Sequence, residues 1–390
     1  MTEKVTDDDI LSEGINARAT DIHIDPLMDG YTVRMRVDGN LRLWKTLDKR
    51  DGERLLNQMK VRVGIESGTV FSPVSARCKL KFNERLLDLR VSLMPCVSGP
   101  KLSIRLLEAA NVQKKLTTLG LADDQSEKLS RWLFELNGMI LVTGPTGSGK
   151  TTTLYAMLGE LVEESRHVVT VEDPVEYEID GINQIEVNLR HGLTFAKAAR
   201  TSLRMDPDCL MVGEIFEQET AQQAINAAVL GHVVMATLHA RDAVSTITRL
   251  RELGQESHQI AAALGVVINQ RLIGKLCKYC SSERDISPIE KAFFETRSLQ
   301  PPKVVKDAPG CAECSNTGII GRTGVFEVWR LDKEDYQMIL AGDDEESIRA
   351  KLDQSGHTHL LDDALAKVNA GIISASEVMR MGFSLPWDNE

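Results

Sequence analysis

Gly144-Pro-Thr-Gly-Ser-Gly149-Lys150-Thr151 carries the spacing of a phosphate cradle, a glycine, four residues, then Gly-Lys-Thr. The chemistry is set by the residue types. Backbone N–H groups of a glycine loop and of the helix that continues from it surround an anion, a lysine reaches the β- and γ-phosphates, and a threonine hydroxyl ligates Mg²⁺. Gly144, Pro145, Thr146, Gly147, Ser148, Gly149, Lys150, Thr151 and Thr152 are therefore the candidate nucleotide-binding residues, with Lys150 also catalytic and Thr151 also the magnesium ligand. The setting suits the motif: Met139-Ile-Leu-Val-Thr143 reads as a short buried strand leading in, and Thr151 to Leu161 as a helix leading out.

Such a loop says only that a nucleoside triphosphate binds, so the acidic groups arriving at other strand ends decide whether the bound nucleotide can be hydrolysed. Cys209-Leu-Met-Val-Gly213-Glu214 is an apolar strand ending in a carboxylate, placed to polarise an attacking water or to hold Mg²⁺ through water, with Gly213 where an aspartate is usual. Val168-Val-Thr-Val-Glu172-Asp173-Pro-Val-Glu176 brings three more carboxylates to a strand end, either as a site for water and metal or as a solvated acidic loop. His232 and His239 bracket a further strand, and on residue type alone each is more often a core or capping histidine than a functional one.

Cys277-Lys-Tyr-Cys280 and Cys311-Ala-Glu-Cys314 are paired CxxC knuckles, able to deliver four thiolates to one tetrahedral Zn²⁺. A closed four-sulfur site has no open position for chemistry, so the reading is structural zinc. Cys78, Cys96 and Cys209 read as small apolar residues.

These groups require a scaffold. Before about residue 110, alternating runs such as Tyr31–Val37, succeeded by the turn pair Asp38-Gly39, and Leu86–Ser92 and Lys101–Leu107 predict a small α+β domain of antiparallel strands. Residues 111–118 read as a linker. From 119 to 276, strands over 139–143, 167–172, 208–213 and 232–238 alternate with helices over 150–163, 194–205, 217–229, 242–253 and 257–271, which predicts a mostly parallel α/β domain. Residues 277–330 read as a turn-rich zinc module and 331–390 as a helical end.

The 390 residues exceed one ordinary core, and the net charge of −11 argues against a chain that coats nucleic acid. No apolar run is long enough to span a bilayer and no signal-peptide core opens the chain, so the expectation is a cytoplasmic protein. Seven cysteines in such a chain suit a reducing compartment.

Thr20-Asp-Ile-His-Ile-Asp-Pro26, Val33–Gly39, Gly144–Thr153, Glu172–Tyr177, Leu203–Asp208, Val212–Ile215, Glu219–Ala221, Gly231-His232, Thr237-Leu-His239 and Gln270-Arg-Leu272 occur in one order over nearly the whole chain. In that order and spacing the chain resembles the secretion ATPases of type II secretion and type IV pilus assembly. The resemblance implies a RecA-like P-loop core, preceded by a small α+β, PAS-like domain and succeeded by a four-Cys zinc module and C-terminal helices. It implies that Glu172 and Asp173 open an Asp box, that Glu214 is the Walker B glutamate, and that His232 and His239 form a His box. Arg77 and Arg90 match two arginines that in the family reach the nucleotide, although an arginine salt-bridged on a strand face is the alternative. The activity implied is Mg²⁺-dependent ATP hydrolysis by a homo-hexameric motor, peripheral to the inner membrane through platform proteins, that assembles a pilus or pseudopilus. The rival reading is a nucleotide-binding assembly or regulatory subunit that hydrolyses little. The start of the chain close to the Asp-Ile-His-Ile motif implies that the family's extra N-terminal docking module is absent or reduced. Three departures stand out: Phe71-Ser-Pro-Val-Ser-Ala-Arg77 keeps only the last arginine of its motif, Gly99-Pro-Lys101 replaces Gly-Glu-Lys, and Ile215-Phe216-Glu217 replaces Ile-Arg-Asp.

Overall fold

A computed structural model describes residues 4–66, 72–83, 85–108, 114–135, 138–163 and 166–381. Contacts divide the chain into two compact units, Met1–Val112 and Gln113–Glu390. Residues 111–113 of the expected linker, Phe71 and residues 382–390 lie outside the described residues.

In the first unit the order is α1 (Asp7–Asn16), β1 (Ala19–Leu27), β2 (Gly30–Val37), β3 (Asn40–Asp48), α2 (Lys49–Arg62), β4 (Val74–Phe82), β5 (Arg85–Cys96) and β6 (Gly99–Glu108). The strands form one antiparallel sheet in the order β3-β2-β1-β6-β5-β4. The β2–β3 hairpin turns at Asp38 and Gly39, whose φ values of 49° and 89° are what a two-residue turn between right-twisted strands demands. Period-2 alternation sends Ile22, Ile24, Val33, Met35, Leu89, Val91, Leu102 and Ile104 to one face, where they join Leu55, Leu56 and Met59 of α2 in a core. The other face is polar, and the strand register lines up Arg77, Arg90 and Arg105 across β4, β5 and β6.

The second unit runs α3 (Asp123–Glu135), β7 (Gly138–Thr143), α4 (Lys150–Glu163), β8 (Val168–Glu172), β9 (Ile182–Glu186), α5 (Phe195–Ser202), β10 (Cys209–Val212), α6 (Gln218–Val229), β11 (Val233–Leu238), α7 (Ser245–Glu252), α8 (Ser257–Ala263) and β12 (Leu264–Leu276). It continues through β13 (Ser282–Asp285), α9 (Pro288–Glu295), β14 (Val304–Asp307), β15 (Ile319–Arg330), α10 (Lys333–Ala341), α11 (Glu345–Gln354), α12 (Leu360–Asn369) and α13 (Ala375–Arg380). The seven-stranded sheet has the order β15-β12-β7-β11-β10-β8-β9, parallel except for β15 at one edge. Every residue of β7, β8, β10 and β11 is buried because helices cover both faces. Met139 and Leu141 point into a core with α6 and α8, while Ile140 and Val142 point into a core with α3 and α4.

Two expectations require correction. The helix expected over 257–271 ends at Ala263, where the backbone of Leu264 turns extended (ψ 122°) and β12 begins. β-Branched Val266, Val267 and Ile268 fit a pleated surface better than a helix, and β12 finds partners on both sides, parallel β7 and antiparallel β15. The turn-rich module expected to reach residue 330 stops earlier, since Ile319–Arg330 is a long strand of the main sheet.

Candidate nucleotide site and four-cysteine cluster

Strand polarity assembles the site. Thr143 at the end of β7 stands opposite Leu238 of β11 on one side and Asn269 of β12 on the other, so Gly144, His239 and Gln270 emerge side by side at the carboxyl edge of the sheet. That edge is where ligands bind in open α/β sheets. The loop leaves β7 with glycines in conformations closed to other residues: φ is 141° at Gly144, 78° at Gly147 and 90° at Gly149. A Cβ on Gly144 would lie 2.4 Å from the Gln270 carbonyl oxygen. α4 then begins at Lys150 and presents the unpaired N–H groups of its first turn to the loop's interior.

Gln270, only 2% exposed, clamps this loop. Its Nε2 donates to the Ser148 carbonyl at 2.7 Å and its Oε1 accepts from the Thr153 hydroxyl at 2.8 Å. The Gln270-Arg-Leu272 motif gives no hint of this role, because the partners lie more than a hundred positions away. The Ser148 hydroxyl is buried and makes no hydrogen bond, as a group awaiting an oxygen-rich ligand would be. Lys150 Nζ donates to the Gly144 and Pro145 carbonyls at 3.0 and 3.1 Å. Burial lowers its pKa, while the nearby Glu214 carboxylate opposes that shift. Thr151 and Thr152 are exposed at the mouth of the loop.

Glu214 comes just after β10, and its carboxylate, 42% exposed, meets His239 Nε2 at 3.0 Å. The segment is pinned to β11 from both directions: Ile215 N–H donates to the Thr237 carbonyl, and the Thr237 hydroxyl donates to the Gly213 carbonyl at 2.6 Å. Lys150, Glu214 and His239 thus converge. Phe216, beside them, is exposed and packs edge-on against Phe195 with centroids 5.9 Å apart.

Glu172 behaves differently from an open catalytic carboxylate. It is 3% exposed, and it accepts hydrogen bonds from the Tyr155 hydroxyl, from the Thr170 hydroxyl at 2.6 Å and from Gln184 Nε2 at 3.1 Å. Tyr155 belongs to α4, so Glu172 ties the phosphate-loop helix to β8 as a positioning residue. Burial first, then the Glu172 charge, pushes the Tyr155 hydroxyl above its ordinary range and Tyr177 up to about 12. Asp173 is exposed at the turn beyond β8. His232 does not join the site, contrary to the sequence expectation. It precedes β11 at the opposite, amino edge of the sheet, where its Nδ1 lies 2.8 Å from the Pro207 carbonyl, while His239 comes after the same strand at the carboxyl edge.

On the first unit's polar face, Arg77 is ion-paired to Asp88, with Nη2 to Oδ2 at 2.7 Å, which is the strand-face salt bridge named as its alternative. Arg90 pairs in register with Arg77 on one side and Arg105 on the other. Arg105, held by Asp21 at 3.0 Å, is a third member of this row that the sequence pattern does not single out.

The four cysteines form one cluster. Sγ–Sγ distances are 3.8 Å for Cys277–Cys311 and for Cys311–Cys314, and 3.9 Å for Cys280–Cys314. A tetrahedron of thiolates about 2.3 Å from a central ion has edges of about 3.8 Å, so the sulfurs fit a tetrahedral metal and are far beyond a disulfide. Although burial works against it, the N–H groups of Cys311 and Gly318, at 3.1 and 3.2 Å from the Cys314 sulfur, help bring that thiol down to about 6, favouring the thiolate a metal needs.

A glycine phosphate loop on a helix N-terminus, facing a glutamate and a histidine at the carboxyl edge of a helix-covered parallel sheet, defines a RecA-like P-loop ATPase. The chain belongs to the family described as Type II/IV secretion system protein, whose signature matches residues 1–380. It is 38% identical over 372 residues to the type II secretion system ATPase E of Vibrio cholerae, an alignment covering 95% of this chain and 74% of the relative. It is 38% identical over 376 residues to the type IV pilus assembly ATPase PilB of Acinetobacter baylyi, covering 95% and 65%. In fold it is similar to the Legionella pneumophila ATPase DotB, with a TM-score of 0.72 at 22% identity over 98% of this chain and 97% of that one. The pilus retraction motor PilT, seen with ADP, gives a TM-score of 0.66 at 23% identity over 97% and 98%. Among the described residues no helix is long and apolar enough to cross a membrane.

Proposed function

We propose that this ATPase is the motor of a type II secretion or type IV pilus assembly machine, working as a homo-hexamer on the cytoplasmic face of the inner membrane through platform proteins. The convergence of Lys150, Glu214 and His239 at the carboxyl edge of the sheet carries the reading. In it, the loop from Gly144 to Thr152 wraps the triphosphate of ATP and Lys150 leaves the loop carbonyls for the β/γ-phosphates. The Thr151 hydroxyl would hold Mg²⁺, which would supply positive charge against the phosphates. Glu214 orients the attacking water and His239 holds Glu214 in place, with Glu172 and Asp173 supporting the loop helix and its approach. Arg77 and Arg90 supply guanidinium charge to the transferring phosphate, for which Arg77 must leave Asp88. Cys277, Cys280, Cys311 and Cys314 would hold Zn²⁺, which would stiffen the connection between β12 and β15.

The test pairs a phosphate-release assay with a nucleotide-binding titration. Lys150→Ala should lose turnover with the fold retained, and Glu214→Gln should bind ATP yet lose at least about a hundredfold in turnover. Wild-type turnover in either variant would remove the active-site assignment. A wild-type chain that binds ATP without hydrolysing it would favour the regulatory-subunit reading.

A further inference from the structure

Glu327, His357 and His359 come together outside the nucleotide site, each offering a ligand atom within 4.8 Å of the others. Glu327 lies on β15 and is 2% exposed. The two histidines flank Thr358 in the connection between α11 and α12. His357 Nε2 stands 3.4 Å from Glu327 Oε1, and His359 Nδ1 stands 3.3 Å from the same oxygen. The His357 side chain is only 10% exposed, and its Nε2 is buried without hydrogen-bond geometry to any partner.

The His359–Glu327 contact is within hydrogen-bond reach at 3.3 Å but longer than the about 2.7–2.9 Å of a charge-assisted bond. The observed spacings are those of a tetrahedral edge, about 3.3 Å for nitrogen and oxygen ligands about 2.05 Å from an ion. The outer shell agrees. The remaining ring nitrogen of His359, Nε2, lies 2.7 Å from Asp353 Oδ1, the carboxylate–histidine pairing that orients metal-bound imidazoles. His359 is held by its own backbone N–H, which donates to Asp362 at 2.8 Å, and the second oxygen of Glu327 accepts from the Ala243 N–H at 3.4 Å. Glu327 and Asp353 together balance the charge of a divalent ion.

We propose that Glu327, His357 and His359 form a second metal site, for a divalent transition ion of the zinc or cobalt type, with three protein ligands and one position left to water. Two imidazoles and one carboxylate suit such ions better than Mg²⁺ or Ca²⁺, which take oxygen ligands. The site staples the α11–α12 connection to β15, and through Ala243 it reaches the segment just downstream of His239. It is independent of the function proposed above.

The experiment is a Co²⁺ titration of the full metal-free chain, read by visible absorption and by metal count after gel filtration. Cobalt on the four cysteines gives intense thiolate charge-transfer bands, whereas cobalt on imidazole and carboxylate gives only weak ligand-field bands. Wild type should bind two equivalents, one of each kind. His357→Gln and His359→Gln should each lose the second while keeping the thiolate bands, which also certify that the variant is folded. Asp353→Asn should weaken the second site by about 10- to 100-fold. The site is refuted if wild type shows no weakly absorbing equivalent, or if both histidine variants keep it, which marks binding at adventitious surface groups.

Discussion

Replacing Gln270 by leucine tests whether the phosphate loop owes its shape to β12. The side chain makes two buried hydrogen bonds, to the Ser148 carbonyl and from the Thr153 hydroxyl, and leucine of similar size makes neither. Two lost bonds cost about 1 kcal/mol each, and each orphaned group adds about 1 kcal/mol or more because Ser148 and Thr153 are themselves buried. Apolar burial of the leucine recovers about 1 kcal/mol, leaving a net loss of about 3 kcal/mol. For a unit of this size that corresponds to a fall in melting temperature of about 6–12 °C. Scanning calorimetry of the full chain should show that fall in the transition that ATP stabilises in wild type, with ATP affinity reduced about tenfold as the loosened loop loses its preorganised N–H groups. Gln270→Glu is the sharper companion. It keeps an acceptor for Thr153 but turns a carboxylate oxygen toward the Ser148 carbonyl, so it should also weaken the loop without any loss of volume. If the leucine variant melts within about 1 °C of wild type and binds ATP equally well, the clamp is incidental.

Three further outcomes are expected. Chelation should release one tightly held zinc from Cys277, Cys280, Cys311 and Cys314, making those thiols reactive and loosening residues 277–318 first; thiol labelling with mass spectrometry would expose an error if the cysteines already react in untreated protein. Arg77→Ala and Arg90→Ala should lower turnover more than ATP affinity, and an equal loss of both, or of neither, would leave Arg77 in the strand-face pairing it makes with Asp88. Glu290, 5% exposed, is held at about 2 chiefly by hydrogen bonds from Arg284, with Ser287 adding to them and burial opposing. A carboxyl depressed on folding stabilises above its unfolded value of 4.5, and that contribution fades as pH falls from there toward 2. Glu290→Gln should therefore cost about 3 kcal/mol at pH 7, with the gap to wild type closing below about pH 4.5 in thermal melts. A gap independent of pH would contradict the pairing.

The chemistry legible in the sequence is chemistry confined to a few adjacent positions. The glycines and lysine of 144–151 and the CxxC pairs carry their geometry within single turns, so spacing alone reveals them. β12 reads as helix because Ile260, Ala263, Leu264, Val267 and Ile268 recur at helical intervals, and only pairing with β7 and β15 makes the second half a strand. Motif order groups His232 with His239, yet a strand separates residues at its two ends by its full length. The roles of Gln270 and Glu327 depend on partners brought in by tertiary structure, which no local pattern contains.

The edge strand β15 also sets the order in which the sheet can be completed. β12 and β15 are neighbours in space but are separated in the chain by everything from Cys277 to Gly318. A chain emerging from the ribosome amino end first must hold β12 with one side unpaired until that whole excursion has been made. An unpaired strand of buried residues is an invitation to pair with another copy. Gathering the four cysteines early shortens the effective loop that must close, and so shortens the interval in which that edge lies open. The four-cysteine cluster then matters most before the enzyme has any activity, as a guide to the birth of the sheet.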